Sequence, residues 1–511
     1  MEKKNGFNSK IGFILATAGG SVGLGNLWSF PYKTSANGGA AFVIVYIICV
    51  ILFGVILSIA EMYIGKRSEA NCVTAYKKIN KNLGWVGILS ILTSIVISCY
   101  YIVIGGYTVK YTVNSFFDNS TILESFSGNI WEVIFFTAIF LILTVIVISL
   151  GVRKGIERAS KILMPLLIII LVGIVIYCLT LGSGVSEGLN YYLNPNFKEL
   201  GFNGVLAAMS QAFFSLSIGA GVLMAYGSYM KEEMKVGKAA LWVALFDTII
   251  ALLGGLAIFP SIYHYKAETG IELQNNGIVL LFSSMPIVFN GLGITGKIIS
   301  FFFFGMVAVA ALTSVISLFE VVTQFAIQQM KIKRSLASFI IAIITFSISI
   351  PIGISLGFSI NGNNILTIGG KNLLEFFDTI VTALFIPICA FMTSLSLGWL
   401  LYKNKKERLN PKILAYHLEN DGLELGKIKI IFAFMIKYII PIGILFIEVF
   451  GIMDILFPKT DNKRLFSIDG FIIILIGLIL LASIISCYFI FIKNKDDGYN
   501  KDEFKINDKE E

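Results

Sequence analysis

The sequence predicts an all-α, polytopic membrane protein with about twelve transmembrane helices, the first and sixth broken at mid-membrane. Three observations predict it. Of the 511 residues 56% are hydrophobic and only 14% charged, and the mean hydropathy is +0.83. Soluble domains carry about 25% charged residues. The apolar runs repeat at roughly 20 residues, the length that crosses a bilayer core. Two of those runs are rich in glycine and serine. This pattern excludes a cytosolic enzyme, a secreted domain and a disordered chain.

The spans are read at roughly 11–33, 38–65, 86–113, 131–150, 158–182, 204–230, 237–262, 296–330, 335–357, 373–401, 428–456 and 468–493. The first comes after Met1-Glu2-Lys3-Lys4, which resembles the start of a signal peptide. It holds Gly19, Gly20, Gly23, Gly25 and Asn26 and ends in no small-residue cleavage site, so it is read as a retained helix. Loop charges orient the bundle. About 25 Lys and Arg fall on the side that holds both termini, against about 7 on the other. The positive-inside rule places both termini in the cytoplasm of an inner or plasma membrane. The net charge of +8 is explained by this topology, so no nucleic-acid partner is expected, and lipid surrounds the spans. Outward loops 183–203 and 263–295 are long, and the sequence does not say how they fold.

Six cysteines, most of them inside apolar runs, and two histidines, His264 and His417 in loops, leave no disulfide or metal pattern. No paired catalytic signature occurs, so an enzyme is not expected.

The first interrupted stretch runs from Ala16 to Asn26 and the second from Phe213 to Gly221. Glycine destabilises a helix interior by up to about 1 kcal/mol relative to alanine. One such stretch is explained equally well by close helix packing. Two, five helices apart, point to a transporter site between repeats. Unwound backbone inside a membrane is tolerated only where it is packed in protein or lines a cavity. Its free carbonyls can hold a cation and a half-helix N-terminus an anion.

The run Gly23-Leu24-Gly25-Asn26-Leu27-Trp28-Ser29-Phe30-Pro31-Tyr32, with Asn37-Gly38-Gly39-Ala40-Ala41-Phe42 after it, resembles the signature of the neurotransmitter:sodium symporter family. Shorter matches come in order: Tyr100-Tyr101, Gln211 to Gly221, and Ala310 to Ser314. They span the first ten helices. The resemblance is to the bacterial amino-acid transporters, and it implies two inverted five-helix repeats and sodium-coupled amino-acid import. On that basis residues 1–401 form the ten-helix core, with repeat one at about 11–182 and repeat two at about 204–401. Beyond it lie a cytoplasmic loop, 402–427, two further helices within 428–493 and a cytoplasmic tail, 494–511. A non-transporting amino-acid sensor or receptor on the same fold stands as the alternative.

The resemblance also implies two sodium sites. One uses the Ser21 carbonyl, Asn26, Ser215, Asp247 and the substrate carboxylate. The other uses the carbonyls of Gly19, Val22 and Ala310 with the hydroxyls of Thr313 and Ser314. All of these are oxygen ligands, which suit a hard cation. Asp247 stands where the family often has asparagine, and Ala251 one turn later stands where chloride-dependent members have serine. A fixed carboxylate there predicts transport without chloride. The substrate carboxylate would meet the Leu24 and Gly25 N–H groups and the Tyr101 hydroxyl. The amino group would meet Ser21, Phe214, Ser215 and Ser217. Ile97, Phe214, Ala220, Ser314 and Leu318 would line the side-chain pocket. The aspartate of monoamine carriers is replaced by Gly23, which favours a substrate with its own carboxylate. Small Ala220 favours a large hydrophobic or aromatic one.

Three departures touch the gates. The arginine of the family's outer gate is Ser29, which leaves Asp378 without its partner, and Lys33 one turn on is the candidate replacement. At the inner gate Lys4 and Tyr229 fit the pattern. Gln328 replaces an aspartate there and Phe7 a tryptophan. Among ionisable residues in the spans, Glu61 is expected to serve free N–H groups of the broken sixth helix, and Glu320 to be structural.

Overall fold

A computed structural model describes residues 6–117, 122–273, 277–362, 366–368, 370–400, 410–420 and 422–456. Among the described residues nine helices are long and apolar enough to cross a membrane unbroken. They run Ala40–Ser68, Lys81–Asn114, Ile130–Ser149, Val152–Leu179, Val236–Thr269, Gly293–Met330, Arg334–Ile360, Leu373–Leu400 and Gly426–Val449. They correspond to spans two to five and seven to eleven of the sequence reading. The first span is a bent pair, Lys10–Ser21 and Gly25–Ala36, with 49° between its halves. The sixth is also two pieces, Phe197–Ser215 and Val222–Ser228, parted by residues 216–221. The expected twelfth span at 468–493, the tail at 494–511 and Lys4 lie outside the described residues.

The bundle is apolar on its rim as well as inside. Ile142, Ile169, Ile294 and Ile343 are exposed on the outside of their helices, as lipid requires. The third and eighth spans form the packed centre, and the third is the more buried. Hydroxyls inside the spans mostly bond back to their own helices: Thr17 to the Phe13 carbonyl, Thr93 to Leu89 and Thr345 to Ile341, each at 2.8 Å.

The long loops that the sequence left open are folded. The segment 183–203 carries a helix, Val185–Leu193, and the first turns of the sixth span. Its tyrosines tie it down: Tyr191 donates to the Ser35 carbonyl at 3.1 Å and Tyr192 to that of Leu252 at 3.0 Å. In 263–295 the seventh span runs on to Thr269, and Gly277–Gly291 is helical with Phe282 and Phe289 buried. Tyr111 holds it by donating to the Phe282 carbonyl at 2.6 Å. The end that carries these loops is called outer, following the loop-charge expectation, and the opposite end inner. Two loop expectations need correction. His264 sits on the extended seventh span and His417 on a helix, Pro411–Asn420, inside the expected loop 402–427. Both segments are helical because neighbouring elements bury one apolar side, as Leu414 and Leu418 show.

Glu61 explains how the sixth span stays broken. It lies in the second span, 1% exposed, and accepts the Gly219 N–H at 2.8 Å. Gly219 and Gly221 have φ of +76° and +77°, which favours glycine. Glu61→Ala is expected to orphan the buried Gly219 N–H at a cost of about 1–3 kcal/mol. The measurement is the thermal unfolding midpoint of detergent-purified protein. An unchanged midpoint would remove Glu61 from this role.

Candidate functional site

The two breaks meet face to face and bond each other. Ser217 Oγ donates to the Gly20 carbonyl at 3.0 Å, and Ser21 Oγ to the Leu216 carbonyl at 3.4 Å. Ser217 has φ of +54°, a left-handed backbone rarely taken by serine and strained by about 1–3 kcal/mol. The third span supports the loop from behind, with Ser94 Oγ donating to the Ala220 carbonyl at 2.5 Å.

A small pocket opens between the breaks. Its lining brings together polar residues, Ser21, Tyr101, Ser217 and Ser314 with Gly25, and apolar ones, Ile97, Phe214, Ala220 and Leu318. Leu24 and Ser215, also expected as substrate contacts but through backbone groups, bring no side chain to it. Leu24 is fully buried, and Ser215 turns to Asp247. Gly20 and Ile386 line the pocket although no sequence argument placed them there. Gly20 lies inside the interrupted glycine run, whereas Ile386 carries no signal because one isoleucine in an apolar span resembles any other.

Next to the pocket lies a buried group centred on Asp247, which is fully enclosed. Ser215 Oγ donates to its Oδ2 at 2.7 Å, and Asn26 Nδ2 to its Oδ1 at 2.9 Å. Tyr46 also donates to it, at 3.4 Å. Sequence reasoning misses Tyr46. The Asn26 amide oxygen accepts the Gly23 N–H at 3.0 Å. All these donors are neutral, so the carboxylate has no cationic side chain among them, and a cation would complete the group. Gly23 has no room for a side chain, because a Cβ there collides with Ser314 Oγ.

A second oxygen cluster joins the first and eighth spans. Ser314 Oγ reaches the Val22 carbonyl at 3.1 Å and the Gly19 carbonyl at 3.5 Å. Thr313 Oγ1 donates to the Ala310 carbonyl at 3.0 Å. A Cβ on Gly19 would stand 3.3 Å from Thr313 Cβ, close enough that a larger residue would push the neighbour back by a few tenths of an ångström. No group of three or more His, Cys, Asp or Glu that could hold a metal occurs among the described residues. The two oxygen clusters instead offer carbonyls, hydroxyls and one carboxylate, a set suited to a hard alkali ion.

The two ends are closed differently. At the outer end Asp378 accepts the Tyr100 hydroxyl at 3.1 Å. Lys33 and Asp378 interact electrostatically, but the ammonium sits 5.9 Å from the Phe214 ring centroid and not in a close ion pair. Ser29, in the arginine's place, donates to Gln211 at 2.9 Å, and Gln211 donates to the Gly25 carbonyl at 2.8 Å. By sequence Tyr100 is a plain core aromatic, because its partner is 278 residues away.

At the inner end Tyr229 donates to Glu320 at 2.8 Å, and Arg334 pairs with the same carboxylate. Gln328 accepts from Asn71 at 2.7 Å and 2.8 Å. Phe7 packs edge-on against Phe13, Tyr226 and Tyr229. Glu157, unnoticed in the sequence, holds the entry to the first span. It accepts the Asn8 N–H at 2.6 Å, the Ser9 N–H at 3.2 Å, Ser9 Oγ at 3.0 Å and Lys161 Nζ at 2.7 Å. A carboxylate at a helix N-terminus is favoured by free N–H groups and the helix dipole.

Two spans broken face to face, around an oxygen-lined pocket inside an apolar bundle, define a secondary transporter. Similarity to known proteins makes the class specific: the chain belongs to the sodium:neurotransmitter symporter family, whose profile matches residues 4–131 and 120–496. It is 32% identical over 472 residues to an uncharacterized sodium-dependent transporter of Haemophilus influenzae, covering 87% of this chain and 98% of that one. It is 30% identical over 465 residues to the uncharacterized sodium-dependent transporter YhdH of Bacillus subtilis, covering 87% and 98%. Among solved structures it is similar to MhsT in complex with L-phenylalanine, at TM-score 0.77 and 32% identity over 87% of this chain and 99% of that one. The chain is a sodium-dependent transporter and not an enzyme.

Loss of the Glu157 cap is expected to loosen the inner end. In a Ser317→Cys background, Glu157→Ala should speed labelling by a membrane-impermeant thiol reagent applied to the cytoplasmic side. Equal labelling rates would show that Glu157 does not hold this end closed.

Proposed function

We propose that this transporter imports a hydrophobic or aromatic amino acid with sodium by alternating access, without chloride. The observation that carries the reading is the mixed lining of the pocket at the meeting of the breaks. It includes the polar residues Tyr101 and Ser217, with Gly25, and the apolar residues Ile97, Phe214 and Leu318. A zwitterion with an apolar side chain matches such a lining. The likeness to MhsT in complex with L-phenylalanine supports it.

In this reading the substrate carboxylate binds the Leu24 and Gly25 N–H groups and Tyr101. Its amino group binds Ser21, Phe214, Ser215 and Ser217. Sodium is a co-substrate at two positions. One is made by Ser21, Asn26, Ser215 and Asp247, the other by Gly19, Val22, Ala310, Thr313 and Ser314. The Asp247 carboxylate, with Ala251 one turn later, supplies the negative charge beside the first ion. Residues 1–401 act as the transporting core, and both termini face the cytoplasm of the cell membrane. Lys33 and Asp378 form the outer gate, with Tyr229 and Lys4 at the inner one.

The test is uptake of labelled phenylalanine, tryptophan, tyrosine and leucine into proteoliposomes under an inward sodium gradient. Uptake of at least one of them that requires sodium, and that persists when gluconate replaces chloride, is expected. No sodium-dependent uptake would favour a sensor, and loss in gluconate would end the role given to Asp247. Lys33→Ala is expected to change the maximal uptake rate, on the order of severalfold, through loss of the half-buried lysine facing Asp378. An unchanged rate would remove Lys33 from the gate.

A further inference from the structure

We infer that Ile386, in the tenth span, sets the upper limit on the size of the substrate side chain. This rests on the reading that the pocket takes an amino acid, and it adds a specificity residue from a span with no sequence signal for the pocket. Ile386 is a pocket residue contributed by the tenth span. The other apolar walls come from the third, sixth and eighth spans, through Ile97, Ala220 and Leu318. Ala220 contributes only a methyl group to its wall.

Two features fix Ile386 where it stands. A π-helical turn, Val381–Phe385, directly precedes it. Such a turn inserts one residue and rotates the remainder of the helix by about 100° around its axis. The π turn therefore decides which tenth-span side chain is aimed at the pocket. Pro387 comes next, and its ring fixes φ.

The backbone at Ile386 is also clamped against the broken sixth span. A Cβ on Gly219 would stand 2.8 Å from the Ile386 carbonyl oxygen, 3.1 Å from its Cα and 3.1 Å from Cys389 Cβ. The same loop is held from the other side by Glu61 at Gly219 and by Ser94 at Ala220. The loop cannot retreat from the tenth span, and the tenth span cannot approach it. With both backbones fixed, the volume of the Ile386 side chain is the adjustable quantity in this wall. A wall of fixed backbone and variable side chain discriminates by size, and one methylene group changes selectivity about 10–200-fold.

The test uses wild type, Ile386→Ala, Ile386→Phe and the milder Ile386→Val. Sodium-dependent thermal stabilisation of each is titrated with tryptophan, phenylalanine, leucine and alanine. Affinity ratios are the readout. Ile386→Ala is expected to raise the tryptophan-to-leucine affinity ratio by about tenfold, Ile386→Val to raise it less, and Ile386→Phe to lower it. A residue that only fills the core would weaken all four ligands by one common factor and leave the ratios unchanged, and that result overturns the inference. If Ile386→Ala or Ile386→Phe fails to fold, Ile386→Val decides by the same ratio. Wild type that responds to none of the four would refute the amino-acid reading itself, which separates that failure from this one.

Discussion

The fold depends on one constraint: peptide groups released inside a membrane must find partners in the protein. Water is absent there, and each unpaired group costs several kcal/mol. Two spans break at the same depth, and each supplies part of what the other lacks. Ser217 bonds the Gly20 carbonyl and Ser21 the Leu216 carbonyl. The surplus is met from further away, by Glu61 at the Gly219 N–H and Ser94 at the Ala220 carbonyl. The carbonyls and hydroxyls left over are the ones that line the pocket and the two oxygen clusters. Structure and chemistry here have the same cause.

The constraint also explains why charge is so unevenly placed. Asp247 is enclosed with neutral donors from Asn26, Ser215 and Tyr46. Glu320, equally buried, has an arginine from the start of the ninth span. The first arrangement leaves the carboxylate facing neutral donors alone. The second pairs it with a cation from the protein. Two carboxylates at similar burial therefore differ in what faces them.

The ends of the bundle show a related substitution of parts. A direct side-chain ion pair is missing between Lys33 and Asp378 at the outer end. Tyr100, Ser29 and Gln211 carry hydrogen bonds in that region while Lys33 stays within electrostatic reach of Asp378. At the inner end Gln328 is engaged with Asn71. The closure there falls to aromatic packing around Phe7 and to Glu157, which caps the first span from the fifth.

The sequence by itself determined the class of protein, the existence and approximate bounds of eleven of the spans, and the two breaks. These are local properties: hydropathy over about 20 residues, and glycine and serine where a helix needs longer side chains. Glu61 was legible because a carboxylate in an apolar span has few reasons to be there. Most of the pocket was legible through the resemblance of residues 23–42 and of the shorter motifs. The tertiary structure alone decided which side chains meet across the bundle. Tyr100 with Asp378, Tyr46 with Asp247 and Glu157 with Asn8 are separated by 278, 201 and 149 residues. It alone aimed Ile386 at the pocket, because a π turn changes which face a residue presents and leaves no mark in hydropathy. Periodicity fixes which elements form, whereas partners across a bundle depend on how those elements rotate and pack.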